Sequence, residues 1–246
     1  MGATSGAWLH CPRPRPDARL RLVCLPYAGG DVTAYWPWLD LLGDEVEMWC
    51  AQLPGRGRRF TEPPATEPGL LVGPLTEAVL ELVRPPYVLF GHSMGALLGF
   101  ELARRLDGVA RLVVSAARAP HVPLHGDPHL LGDAELIAWL TELGGVPAEL
   151  LANTEMLELL LPTLRADLTV CAAFLDEGAP LDVPITVITP DADPLVPVDH
   201  ATEWRRYTTA ACDLVVRPGG HFYLLDDPLL VLDEVARTTT AKEGAR

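Results

Sequence analysis

The sequence predicts an α/β fold in which a mostly parallel, doubly wound sheet carries a helical insertion. Three observations point there. Short apolar runs with strand character alternate with amphipathic stretches at helical spacing across the first half of the chain. One run, Tyr87-Val88-Leu89-Phe90, passes straight into Gly91-His92-Ser93-Met94-Gly95 and then into a helix of small apolar residues. The alternation stops between about 120 and 179, where only helical patterns occur, and then resumes. At 246 residues the chain fits one domain of this kind and can bury a full core.

Residues 19–25 read as a first strand, with Leu20, Leu22 and Cys24 alternating with Arg19, Arg21 and Val23. Pro26-Tyr27-Ala28-Gly29-Gly30 turns the chain into a segment holding Trp36, Trp38, Leu39 and Leu42, expected to be helical. A strand at 46–53 ends at Pro54-Gly55. In 68–83, Leu71, Leu75, Ala78, Val79 and Leu82 share one helical face. The strand 87–90 leads to a helix over 94–106, whose Ala96, Leu97, Leu98 and Gly99 suit close packing on a sheet, and 111–115 is the next strand. Helical blocks follow at 133–143, 147–151 and 154–175. A strand at 185–189, a helix at 200–208, a strand at 212–217 and a helix at 228–239 complete the pattern. Residues 1–18 read as a flexible N-terminal extension, 19–240 as a single domain with a lid over about 120–179, and 241–246 as a tail.

Composition narrows the function. The chain is 49% hydrophobic and 21% charged, which is globular, and its net charge of −14 argues against a nucleic-acid partner, whose phosphates need a basic face. No apolar run is long enough to span a bilayer, and 1–17 hold no secretory apolar region, so no membrane association is expected. The five cysteines are irregularly spaced, with Cys24 and Cys50 in predicted buried strands, which suits a reduced, cytoplasmic protein. Pro123, Gly126 and Pro128 interrupt the run of His121, His125 and His129, so those histidines cannot share a helical face, and no metal or organic cofactor is expected.

The Gly-x-Ser-x-Gly pentapeptide between a strand and a helix describes a serine on a sharp turn, its hydroxyl raised above a parallel sheet, as in α/β-hydrolases. Such a serine needs a base, and the base needs a carboxylate to hold its tautomer, in the chain order Ser, acid, His. His221, in Pro218-Gly219-Gly220-His221-Phe222 after the last strand, is the best placed of the seven histidines; His92, beside the serine, points elsewhere and reads as a packed neighbour. The acid should follow the strand 185–189. Asp193 is favoured over Asp191, which reads as a turn residue, while Asp199 reads as a helix cap. The two backbone N–H donors of an oxyanion hole fall on Met94, at the start of its helix, and Ala28, in the early glycine-rich loop.

With these residues in place the chain resembles the stand-alone (type II) thioesterases that accompany polyketide synthases and nonribosomal peptide synthetases. The resemblance covers about 20–232. It rests on Leu25-Pro26-Tyr27-Ala28-Gly29-Gly30, on Gln52-Leu53-Pro54-Gly55-Arg56 with Arg58-Arg59, on the serine pentapeptide, and on Arg118-Ala119-Pro120-His121. Further matches are Leu160-Leu161-Pro162-Thr163-Leu164-Arg165-Ala166-Asp167, Asp193-Pro194 and Pro218-Gly219-Gly220-His221-Phe222. It implies hydrolysis of acyl groups held as thioesters on the phosphopantetheine arm of a carrier protein, in an editing role. Ser93, Asp193 and His221 fall on the family's triad, and Ala28 and Met94 on its oxyanion hole. Pro190 departs from the pattern: such enzymes commonly have Gly three residues before the acid, and proline fixes φ and removes a donor, which bears on the choice between Asp193 and Asp191.

The basic cluster Arg56, Arg58 and Arg59 is expected either to dock an acidic carrier or to sit as a loop with Arg56 paired to a carboxylate. Leu136, Ile137, Leu140, Met156, Leu157 and Leu160 are expected either to line an acyl chamber or to pack the lid. The enzyme is expected to act as a monomer. A medium-chain or product-releasing thioesterase, a carboxylesterase and a non-catalytic carrier-binding protein are the rival readings.

Overall fold

A computed structural model describes residues 5–145, 153–175 and 178–240. Seven strands form one sheet in the order β1-β3-β2-β4-β5-β6-β7. They are β1 (Leu9–His10), β2 (Leu20–Leu25), β3 (Val46–Ala51), β4 (Tyr87–His92), β5 (Val109–Ser115), β6 (Ile185–Pro190) and β7 (Cys212–Arg217). All neighbours are parallel except β1, which runs antiparallel to β3. The predicted block 147–151 lies outside the described residues, as does the tail 241–246.

Helices cover both faces of the sheet. On one face α1 (Gly69–Leu82) and α2 (Met94–Ala103) bring Leu71, Leu75 and Leu98 against Val23, Leu25, Leu89 and Val114. On the other, a 3-10 helix (Val32–Asp40) and a C-terminal helix, numbered α7 (Leu229–Thr240), bring Tyr35, Trp38, Val231 and Val235 against Leu22, Cys24, Val88 and Phe90. Buried on both faces, β2 has no solvent side, so the expected apolar–polar alternation of 19–25 does not separate core from water. Arg21 is buried with the rest, 3.6 Å from Glu47 Oε2 and donating to Pro16 O.

Two expectations are corrected, and one helical segment is specified further. Residues 5–18 are not a flexible extension: Leu9 and His10 pair with Ala51 and Cys50, and Trp8 and Leu9 are buried in the core. The segment with Trp36 is a 3-10 helix, with Pro37 inside it and Asp31 capping its first N–H. The helix expected at 200–208 divides into α5 (Val198–Thr202) and a 3-10 turn (Glu203–Tyr207).

Between β5 and β6 the chain leaves the sheet. Its described part holds α3 (Asp133–Glu142) and α4 (Thr154–Ala173), joined by a cluster of Leu136, Leu161, Leu164 and Leu168. Arg118, 6% exposed, anchors the base of this lid by donating to Cys171 O and Phe174 O at the end of α4, where a helix leaves carbonyls unpaired. Leu136 therefore packs lid to lid, whereas Met156 faces solvent.

The turn after β4 admits little variation. A Cβ on Gly95 would overlap the Leu25 carbonyl oxygen, and one on Gly91 the Gly95 carbonyl. Both obstacles are backbone. Gly95→Ala is expected to lower stability by about 3 kcal/mol, the upper range for an overpacked core, seen as an earlier urea midpoint. Gly73, on α1 with open space around its Cα, is the contrast. Gly73→Ala gains helix propensity but sets a Cβ beside the ring of Pro74, so its stability should change by less than about 1 kcal/mol, well short of Gly95→Ala.

Candidate active site

The sheet order creates the site. From β2 the chain goes to β3 on one side, then crosses to β4 on the other, so the loops after β2 and β4 diverge around a crevice at the carboxyl ends of two paired strands. Ala28 follows β2 and Ser93 follows β4, with Leu25 and Gly91 in register. Ser93 has φ 53° and ψ −117°, a strained conformation for a residue with a side chain. Its N–H donates to Ser115 O at 2.8 Å, tying the turn to β5. Met94 opens α2, where the first N–H groups have no helical partner, and no Ser93 side-chain bond takes them. Ala28 N–H makes no hydrogen bond to protein among the described residues.

The expected acid and base, Asp193 and His221, lie in the loops that follow neighbouring strands, β6 and β7. His221 Nδ1 donates to Asp193 Oδ2 at 2.7 Å, and both residues are buried. Asp193 Oδ1 accepts from the N–H groups of Leu195 and Val196, at 2.8 and 3.3 Å, so the carboxylate is held on both oxygens. Asp191 instead accepts from Gly219 N–H at 3.1 Å and steadies the turn that carries His221. Pro190 does not disturb this. It closes β6 opposite Arg217, and the ladder is continued by Asp191 N–H donating to Arg217 O.

His92 is a packed neighbour. Its Nδ1 shares a 3.0 Å hydrogen bond with Ser115 Oγ, which is 2.7 Å from Tyr223 Oη, and its ring lies 5.1 Å from that of His221. Burial, and then the charge His221 would carry, hold the His92 pKa well below the ordinary 6.5. Tyr27 and Phe222 close round the same rings.

The basic cluster separates into three fates. Arg56 is 4% exposed and makes a bidentate pair with Asp167 of α4, at 2.5 and 2.7 Å. Arg59 is also buried, paired with Glu62 and lying over the Trp8 ring. Neither can meet a partner, because each cation is already neutralised inside the protein. Only Arg58 is exposed, on the rim of a cavity of about 340 Å³ shared with His10, Gln52 and Glu62. The role of Asp167 was missed. Its signal was a carboxylate beside Leu164 and Leu168 on the apolar stripe of a helix, where an unpaired charge cannot stay. Among the described residues no three His, Cys, Asp or Glu side chains gather as metal ligands.

The thioesterase-domain family model matches residues 20–242. The chain belongs to this family. It is a thioester hydrolase on an α/β-hydrolase fold. A relative named linear gramicidin dehydrogenase LgrE, of Brevibacillus parabrevis, is 39% identical over 88% of this chain and 86% of its own length. Among solved structures, the RedJ thioesterase from the prodiginine pathway of Streptomyces coelicolor is 37% identical with a TM-score of 0.83, covering 94% of this chain and 98% of that one. The type II thioesterase BorB from the borrelidin cluster is 36% identical with a TM-score of 0.86, covering 96% and 99%. The word dehydrogenase belongs to the first relative's name alone; the family match and both solved neighbours are thioesterases.

A buried neutral His92 ties stability to pH. Below 6.5 the unfolded chain takes up a proton that the folded chain refuses, so stability falls as pH falls from 6.5 toward the depressed folded value. This one group contributes up to about 1.4 kcal/mol per pH unit. Urea midpoints between pH 7.5 and 5 should decline less steeply for His92→Gln than for the unaltered protein. Equal slopes would contradict the assignment.

Proposed function

We propose that the enzyme removes acyl groups from the phosphopantetheine arm of carrier proteins, clearing stalled or wrongly primed units from a polyketide or nonribosomal peptide assembly line. The observation that carries this reading is the buried His221–Asp193 pair in the loops after the two strands beyond β5, in a chain of the thioesterase family. In the proposed mechanism His221 takes the Ser93 proton, and Ser93 Oγ attacks the thioester carbonyl. The carbonyl oxygen, now negative, rests on the N–H groups of Ala28 and Met94, and the pantetheine thiolate leaves with the proton from His221. Water deprotonated by His221 then attacks the acyl-serine, and the carboxylic acid departs as Ser93 regains its proton. No step calls on a metal or organic cofactor; phosphopantetheine arrives with the substrate. Likeness to stand-alone enzymes of biosynthetic clusters favours editing over product release.

We place carrier docking at Arg58, the one member of the basic loop that is exposed. His10 stands beside it, kept neutral because partial burial and then Arg58 lower its pKa, so Arg58 supplies the positive charge of the cavity rim, suited to an acidic carrier or to the phosphate of its arm. We take the enzyme to act as a monomer. The five cysteines are free thiols, which fits the cytoplasm.

Two experiments test the reading. Intact-mass analysis of carrier proteins loaded with acetyl through long-chain acyl groups should show broad, slow clearing of short units, abolished by Ser93→Ala and lowered about 10³–10⁴-fold by Asp193→Asn. Sharp preference for one long chain would indicate product release instead, and no cleavage would remove the reading. Arg58→Glu should raise KM for carrier-bound substrate severalfold and spare a small acyl thioester. Equal loss on both would remove the docking role.

A further inference from the structure

We infer that Asp167 and Arg56 are positioning residues for the oxyanion hole, through which the lid sets the orientation of Ala28 N–H. The inference rests on the proposed role of Ala28. Asp167 is 1% exposed on its side chain, and its Oδ2 accepts from Arg56 Nη1 at 2.5 Å and from Gly29 N–H at 2.7 Å. Arg56 Nη2 donates to Oδ1 at 2.7 Å, while Arg56 Nη1 also reaches Gly30 O at 3.3 Å. The same guanidinium donates to Pro54 O through Nε and Nη2. One ion pair therefore holds the N–H and C=O of the two residues after Ala28, and ties both to α4 and to the loop after β3.

The consequence for Ala28 follows from backbone geometry. The Gly29 N–H belongs to the peptide plane one Cα beyond the plane that carries Ala28 N–H. The first plane also carries the Tyr27 carbonyl, which accepts from Gly30 N–H at 2.8 Å, so a grip on Gly29 N–H and Gly30 C=O steadies it through that turn. Gly29 N–H is thereby occupied, whereas Ala28 N–H has no protein acceptor among the described residues. Leu164, three residues before Asp167, packs against Gly29, and Ala28 contacts the Leu136–Leu161–Leu164–Leu168 cluster, so the lid touches this loop at apolar and charged points alike. Thr163 Oγ1 adds a bond to Gly55 O at 2.9 Å.

The charges matter as well as the geometry. A bare carboxylate one residue from an oxyanion donor would oppose the negative charge of the tetrahedral intermediate. Arg56 cancels it. The pair is thus compatible with an oxyanion where Asp167 alone is not, and loss of Arg56 should injure catalysis more than loss of Asp167.

The test separates the hole from general damage. Asp167→Asn keeps the shape and weakens the grip on Gly29 N–H; Arg56→Met with Asp167→Leu removes both charges, an exchange that buried pairs often tolerate. Each variant is first shown to be folded by its thermal transition. An alkyl boronic acid, whose tetrahedral adduct with Ser93 puts an oxygen in the hole, should then bind at least about tenfold more weakly. A non-hydrolysable thioether analogue of acyl-pantetheine should bind within about twofold, and kcat should fall with KM unchanged. Unchanged boronate affinity and kcat in folded variants overturn the inference. So does equal loss of boronate and thioether binding, which marks a collapsed lid. Failure of the underlying reading looks different: the unaltered protein would then not cleave acyl thioesters, or would cleave them without Ser93.

Discussion

The structure depends on the strained turn at Ser93. Holding a side-chain-bearing residue at φ 53° requires surroundings that leave no alternative, and these are visible. β4 is hydrogen-bonded on both sides, by β2 and β5, and Ser93 N–H is taken by Ser115 O. The following helix must then start within contact distance of the strand beside it. That closeness explains why α2 opens with Met94, Gly95 and Ala96 and shows no polar face in its first turns. It also explains why a helix N-terminus, with its unpaired N–H groups, lies where a reacting carbonyl would sit.

Around that turn the buried charges come in compensated sets. His221 has Asp193, Arg56 has Asp167, Arg21 has Glu47, and Arg118 spends its donors on carbonyls at the base of the lid. Glu234, buried as well, has Arg217 and Arg237. His92 is the exception that stays neutral. Burial, and then the imidazole of His221 5.1 Å away, keep a proton off its ring.

Much of this was legible in the residues. The strands from 19 to 217 and the helices at 69–82, 94–103 and 154–173 declared themselves because apolar period and flanking Pro and Gly agreed, and the serine pentapeptide fixed the order in which acid and base had to follow. The residues favour Asp193 over Asp191, but the imidazole contact that separates them appears only in three dimensions, since both lie past the same strand and the one that accepts depends on how β7 is aligned. The N-terminal pairing of Leu9 and His10 was hidden because a two-residue strand has no period to read. The basic loop stayed open between docking and internal pairing for a different reason. Sequence displays charge but not its partner, and the carboxylates that bury Arg56 and Arg59 stand 111 residues away in one case and three in the other.

The most direct measurement is a crystal structure of the protein inactivated by an alkyl fluorophosphonate, which leaves a tetrahedral phosphoryl group on the nucleophile. If Ser93 is the nucleophile and Ala28 and Met94 form the hole, the phosphorus sits on Ser93 Oγ with one oxygen about 2.7–3.1 Å from both N–H groups. His221 would lie within hydrogen-bonding distance of Ser93 Oγ and keep its bond to Asp193. An adduct on another residue, or a phosphoryl oxygen turned away from Ala28 and Met94 toward solvent, would contradict it.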